Sequence, residues 1–452
     1  MSKAQEPGVG GAHTHGDADH THTHTHADGT THTHAHEHGH AHDTTPLYRG
    51  YPARDLKVGR VYHGIGVDIP APGRPMMQRL AEAFTQPYTG ITTDGQVRTG
   101  LFPLQGTGVS TAPAVAAARH FLAGIKRSDY ARFARQPLDS PDRRRWINAF
   151  PDWMPTGVYL ADLTRSEREA AFKVIEASLS ARGFEQARNA MKVNQVLGEF
   201  INHSGDSISE LGYFFTIFGD PSTSGAWGWR LMGYHLVVYC TFVGDQMVLT
   251  PAFIGAEMSV IDSGPYAGVS LLQEEQRGGL ELATSLNPAQ RARAVLYPSM
   301  RREDLPPELG GLDGRHQAAA GRDNLVLPYA GVRADALSAG QQEQLLQLIG
   351  LYVERMPPAH AALMMQSVTR ALEETHFAWI GDPDKVPFYY RIHSPVILIE
   401  FDHHSGVFLA NNEPEPFHIH TIVRTPNGND YGMDLLRQHY ALFPHDGEGH
   451  GK

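Results

Sequence analysis

Two histidines separated by one residue, in Phe417-His418-Ile419-His420-Thr421-Ile422-Val423-Arg424, carry the clearest chemical signal in the chain. The stretch alternates with period two, the mark of a half-buried strand, so His418, His420, Ile422 and Arg424 share one face. Residues i and i+2 of a strand sit roughly 6.5–7 Å apart, close enough for two imidazoles to converge on one cation. Upstream, Val396-Ile397-Leu398-Ile399-Glu400-Phe401-Asp402 reads as a second strand in which Glu400 interrupts an apolar run. A carboxylate there needs a partner, because an unpaired buried charge is very costly. If the two strands are antiparallel neighbours, Glu400 and Asp402 can share a face with His418 and His420. His235, on an otherwise apolar and aromatic stretch, is the best third imidazole. Two or three histidines, one carboxylate and an open position form the ligand pattern of catalytic zinc and of non-heme iron. The bland alternative is a set of unrelated core polar groups satisfied by backbone hydrogen bonds. His-x-His alone is common; Glu400 on a neighbouring apolar strand is what strengthens it.

Other residues could serve such a centre. Arg424 shares the face of His418 and His420, and Arg391 lies on the strand before Glu400. Either guanidinium could clamp a substrate carboxylate through paired hydrogen bonds, or simply neutralise a buried acid. Asp430, in the turn-forming Asn427-Gly428-Asn429-Asp430-Tyr431-Gly432, is a candidate to orient a ligand histidine through its other ring nitrogen. Asp402-His403-His404 falls where the strand should end and is expected to lead an exposed loop. His376, beside Phe377 and Trp379, is expected to pack. Rival chemistries fare badly. Gly106-Thr107-Gly108 has no preceding strand, and the chain holds no phosphate loop, no Gly-x-Ser-x-Gly elbow and no His-Glu-x-x-His. The single cysteine, Cys240, excludes intrachain disulfides and thiolate-rich metal sites, and its apolar neighbours mark it as a small buried hydrophobe.

These residues need a scaffold. Thr164-Arg165-Ser166-Glu167 is a capping box before an amphipathic helix with a stop near Gly183, and a second helix runs to about His203. From Gly212 the pattern turns to strand: 212–218, then a single strand Trp227–Tyr239, then 246–250, with Gly244-Asp245 as a hairpin turn. A proline-opened helix is expected from Thr111 to about Arg135, and another from Ser140 that presents Arg143, Arg144 and Arg145 to solvent. Helices return at 270–286 and 288–296, and residues 298–335 read as a surface excursion. A second helical hairpin spans 338–375, broken at Pro357-Pro358. Strands at 388–393, 396–402 and 417–424 and a short helix from Asp434 close the chain. Runs of helices alternating with runs of strands predict an α+β fold, a largely antiparallel sheet with flanking helical hairpins.

At 452 residues with 41% hydrophobic content the chain can bury a sizeable core. Its formal charge of −11 argues against a nucleic-acid surface. Residues 1–45 form a segment apart: twelve of the 27 histidines lie between His13 and His42, mostly as His-Thr or His-Ala alternation. With almost no apolar content this tail is expected to be disordered, and its imidazoles suit zinc, copper or nickel in interchangeable sets. Residues 46–452 are expected to form a single domain carrying the metal site. Neither a secretory signal nor a membrane-spanning apolar run is present, so the expectation is a soluble, cytoplasmic protein acting without a membrane partner.

Several separate motifs in order resemble a known family: Trp227-Gly-Trp229 leading to His235, Thr250-Pro251-Ala252-Phe253-Ile254-Gly255, Phe377-Ala-Trp379-Ile-Gly381, Tyr390-Arg391-Ile392, Glu400, His418-Ile-His420 and Asn429-Asp430-Tyr431-Gly432. The family is the domain of unknown function numbered thirty-five hundred, and the resemblance spans roughly residues 75–442. It implies positions rather than a reaction, and supports His235, Glu400, His418, His420, Arg424 and Asp430 as a set. Two departures stand out: Tyr234-His235 where a His-His pair is expected, and Thr425 where an acid is expected. The reading is a metalloenzyme whose His235, Glu400, His418 and His420 hold a divalent ion, zinc ahead of iron or copper. Metal-assisted hydrolysis of a small anionic substrate is the first reaction class. Oxidative chemistry on iron or copper is the alternative, and metal binding or delivery through the tail is the rival from outside enzymology.

Overall fold

The computed structural model describes residues 21–25, 31–35, 47–54, 69, 71–203, 207–310 and 314–443. The chain divides into two units, Met1–Thr45 and Pro46–Lys452. In the first, Thr21–Thr25 and Thr31–Ala35 pair as antiparallel strands, with His22 opposite His34 and His24 opposite His32. The rest of the histidine-rich tail, expected to be disordered, lies outside the described residues, as do residues 55–68.

The second unit is built on a sheet of thirteen strands. Eight carry most of it: β1 (Tyr213–Gly219), β2 (Ala226–Gly233), β3 (Leu236–Val243), β4 (Ala252–Ala256), β5 (His376–Ile380), β6 (Tyr389–His393), β7 (Leu398–His404) and β8 (Glu415–Arg424). Their spatial order is β5-β6-β7-β8-β4-β3-β2-β1. All pairings among these eight are antiparallel. Among the described strands of this sheet, parallel pairs occur only beside the outer members, Val295–Tyr297 against β5 and Arg135–Gln136 against β1. The unit is thus a mixture of helices and strands around a mostly antiparallel sheet, and no helix among the described residues is long and apolar enough to cross a membrane.

Period-two alternation sorts the side chains onto two faces. Phe215, Trp229, Leu231, Ile254, Trp379, Phe401 and Ile419 join an apolar cluster with residues from helices Ala112–Gly124, Arg165–Ser178, Ala181–Phe200, Gln273–Ser285 and Ala339–Val353. On the opposite face Phe214, Met232, Val237, Phe253, Leu398 and Ile422 pack against Leu80, Trp146, Ile147, Leu327 and Tyr431, which come mainly from irregular segments. That second face also carries buried Arg230, Arg391, Glu400, Asp402, His418, His420 and Arg424.

Local signals mostly hold. Thr164 and Glu167 form the expected capping box, and Asn287 and Ser338 open helices the same way. Gly183 does not stop a helix; the first one ends at Ser178 and Gly183 falls in the opening turn of the next. The helix expected from Thr111 to Arg135 breaks after Gly124, and the one expected at Ser140 is a single short turn, Pro141–Arg144. Its arginines are not a solvated row: Arg143 is buried and donates to Thr241 Oγ1 and the Tyr431 carbonyl, while Arg144 pairs with Asp323. Nor do consecutive helices pack chiefly on each other: Arg165–Ser178 lies mainly against Ala112–Gly124, and Ala339–Val353 against Gln273–Ser285. A short connection keeps two helices near one another but leaves the choice of neighbour to the larger apolar surface. The stretch 298–335 is no mere surface excursion, since Leu305, Arg315, His316, Ala318, Asp323 and Leu327 are buried.

Among the hydrogen bonds that tie the helical layer to the sheet is one between two buried side chains. Trp229 Nε1 donates to Ser178 Oγ at 3.0 Å, and Ser178 Oγ donates to the Val174 carbonyl. Replacing Ser178 with alanine leaves the indole N–H buried without an acceptor, which should cost about 1–3 kcal/mol. Urea denaturation measures this; an unchanged midpoint would show that the bond contributes nothing to holding the layers together.

Candidate metal centre

Strand β8 lies between β7 and β4, with Asp402 on one side and Gly255 on the other directly opposite His420. His418 and His420 project from the polar face, as their alternation requires. His235 arrives by a different route. The expected strand Trp227–Tyr239 is two strands, because Tyr234 and His235 form a two-residue turn between Gly233 and Leu236. His235 adopts a left-handed backbone (φ 59°), donates its N–H to the Asn148 carbonyl at 3.0 Å and accepts from Gly255 N–H at 2.8 Å. The reversal resets the alternation, so Trp229 and Leu231 face the helices while Val237 and Tyr239 face the polar side. Strand β4, absent from the sequence reading, fits between β3 and β8 and brings this turn beside His420. Gly255 makes the approach possible. A Cβ there would stand 2.7 Å from the Ile419 carbonyl oxygen and 2.9 Å from His420 Cδ2.

The three Nε2 atoms of His235, His418 and His420 converge: 3.3 Å for His235–His418, 3.0 Å for His418–His420 and 3.0 Å for His420–His235. The rings meet at steep angles of 57–84°, edge towards edge. Burial holds all three neutral. It lowers His235 to about 3 and pushes His418 and His420 well below the ordinary imidazole value, with His404 adding to each effect. In a neutral ring each Nε2 is either an N–H or a bare lone pair. Among three such atoms at least one pair must be alike, so hydrogen bonding cannot satisfy all three contacts. A cation met by three lone pairs satisfies them together. His235, His418 and His420 would hold such an ion, which would supply Lewis-acid chemistry. The His404 ring walls this trio, with centroids 4.8 Å from His418 and 4.5 Å from His420. Asp402, His403 and His404 are therefore not the expected exposed loop; β7 runs through His404 and all three are buried.

A second set of candidate ligands adjoins the first. His316, Asp402 and His420 offer atoms within 4.8 Å of one another, and His316 Nε2 stands 3.3 Å from His420 Nδ1. Glu400 shares the face but belongs to neither set. Its oxygens accept from Gln317 N–H (2.9 and 3.0 Å), Ala318 N–H (2.8 Å) and Tyr389 Oη (2.6 Å). Asp402 Oδ2 accepts from Arg315 N–H at 3.1 Å. The two carboxylates thus pin the loop carrying His316 over the sheet, and Gly314 (φ 74°) turns it where a Cβ would meet Asp402 Oδ2 at 2.0 Å. His316 escaped the sequence reading because it lies in a non-periodic stretch; its nearest signal was Asp402, whose partner was unknown.

Arg424 and Asp430 occupy each other rather than the histidines. Arg424 Nε donates to Asp430 Oδ2 at 2.7 Å, Nη2 to Asp323 Oδ1 at 2.7 Å and Nη1 to the Ala318 carbonyl at 2.7 Å. Asp430 Oδ1 accepts from Thr425 N–H. The guanidinium is wholly buried and each of its three nitrogens donates within the chain, to Asp430, Ala318 and Asp323, while Asp430 accepts from Arg424 and Thr425. A cavity of about 190 Å³ among Met247, Tyr352, Met356, Met364 and Val423 contains none of the candidate ligands.

A family model described as a protein of unknown function, DUF3500, matches residues 107–433. The chain belongs to that family. No curated protein and no solved structure matches it. In this DUF3500 chain His235, His316, Asp402, His418 and His420 all lie within the matched span, and the histidine-rich tail lies before it.

Two outcomes follow for this DUF3500 sheet face. Glu400→Gln keeps the shape but removes the charge that both backbone amides share. Hydrogen exchange at Gln317 and Ala318 should accelerate, with a stability loss of about 1–3 kcal/mol; unaltered exchange would remove Glu400 as the anchor of the loop. His393, on β6, is held at about 3 by burial first and then by Arg391 and His376, and neither ring nitrogen has a hydrogen-bond partner. Its folded value lies below the unfolded value of about 6.5. The unfolded chain therefore binds the extra proton, and stability falls as pH drops from about 6.5 towards 3. His393→Phe should reduce the loss between pH 7 and pH 4.5 by on the order of 2 kcal/mol. Denaturation curves at the two pH values with identical differences in parent and variant would contradict this.

Proposed function

We propose that this α+β chain is a metal-dependent hydrolase whose mononuclear centre is held by His235, His418 and His420. The convergence of three buried Nε2 atoms within 3.0–3.3 Å of one another carries the reading. Zinc is the favoured ion: an all-imidazole tripod at tetrahedral spacing with one open position suits it without demanding a redox change. Three neutral ligands leave the full charge of a divalent ion in place. Such an ion lowers the pKa of bound water to about 7 and supplies hydroxide at neutral pH. Relative exposures of 4%, 0% and 4% for His235, His418 and His420 restrict access to a small substrate. Glu400 supports the site through the loop it anchors. Anionic selectivity has lost its first candidate residue, since Arg424 is engaged by Asp323 and Asp430.

Residues 46–452 make a unit of their own, so removing the tail isolates the centre from the twelve tail histidines. Elemental analysis of that unit should find at least one tightly held zinc per chain, and none after His418→Ala with His420→Ala. A metal-free parent, or a double variant with unchanged content, would end the proposal. Hydrolysis of a small activated ester should rise sigmoidally with pH around a midpoint of about 7 and vanish on chelation. Copper or iron in place of zinc would move the reaction class to oxidation.

A further inference from the structure

We infer that the same sheet face holds a second divalent cation, bound by His316, Asp402 and the Nδ1 side of His420, so that the His420 ring joins two metal ions. The inference rests on the reading of His235, His418 and His420 as the first site and adds a neighbour to it. Ligand atoms of the three residues lie within 4.8 Å of one another. All are more than nine-tenths buried, with relative exposures of 5% for His316, 0% for Asp402 and 4% for His420.

One unpartnered atom points to an ion. Asp402 Oδ2 is occupied by Arg315 N–H, but the wholly buried Asp402 Oδ1 has no hydrogen-bond partner. The simpler account is a hydrogen bond between His420 Nδ1 and His316 Nε2 across their 3.3 Å separation. That bond explains one contact and leaves a buried carboxylate oxygen unpaired, which is costly. A cation between the two rings and Asp402 would take the facing nitrogens, His316 Nε2 and His420 Nδ1, together with the spare carboxylate oxygen. The loop is also built for the purpose: Glu400 and Asp402 fix the backbone on either side of His316, at Gln317, Ala318 and Arg315.

The proton balance is simple. With the first ion on Nε2, the neutral His420 ring carries its proton on Nδ1. The second ion replaces that proton, which leaves to solvent, and the ring becomes an imidazolate bonded through both nitrogens. No oxidation state changes. The imidazolate and the Asp402 carboxylate together offset two of the four positive charges. Two nitrogens and one carboxylate oxygen suit zinc or copper(II) better than calcium or magnesium. The two ions would stand roughly 6 Å apart, two metal–nitrogen bonds plus the width of the ring.

Crystals of the full chain grown with zinc(II), with anomalous data collected on both sides of the zinc absorption edge, test this directly. Two peaks flanking His420 are expected in the parent. Crystals of Asp402→Asn should keep the peak among His235, His418 and His420 and lose the other. A single parent peak at the three-histidine centre overturns the second site and leaves the first standing. No peak at either place overturns both readings. The parent map alone decides between these outcomes, whatever the variant does to folding.

Discussion

The register of β8 between its two neighbours is the constraint from which the rest of the centre follows. Asp402, His420 and Gly255 lie abreast across three strands. A slip of one residue would turn His418, His420 and Arg424 into the helical layer and Ile419 and Val423 into the polar one. The apolar cluster behind the sheet forbids that slip, since Ile419, Ile399 and Phe401 are buried in it. Hydrophobic burial on one face thereby fixes the position of imidazoles on the other.

Charged and polar groups on that second face fall into two kinds. Most are paired. Arg424 is closed by Asp323 and Asp430, Arg230 by the Asp142, Arg145 and Thr156 carbonyls, and Glu400 by two amides and a phenol. Each of these charges is met by several partners, though Arg230 Nε is left without one. The imidazole trio differs. Its three nitrogens crowd together in a way that no arrangement of their own protons can satisfy, and burial withholds the extra protons. The contrast separates side chains closed by partners within the chain from an imidazole cluster that is not.

The same contrast reassigns the carboxylates. Glu400 and Asp402 occupy equivalent positions on β7, two residues apart on one face. The loop 314–318 takes both Glu400 oxygens but only one of Asp402's. The acid with an oxygen to spare is therefore Asp402, and Glu400 serves by holding the loop in place.

Period-two alternation by itself determined that β7 and β8 are strands, that His418, His420 and Arg424 share a face, and that Glu400 and Asp402 could join them. The capping box at Thr164 was equally legible, because it is local chemistry. What the sequence could not decide was contact between distant segments. His235 reaches His420 only because a left-handed turn reverses the chain and because β4 fits between β3 and β8. His316 comes from a stretch with no period at all. Whether Arg424 meets a substrate or Asp323, and which of two equally spaced acids keeps a free oxygen, depends on which loop packs over the sheet. Periodicity records the direction of a side chain relative to its own strand; the partner it meets is settled by the burial and hydrogen bonding of the whole chain.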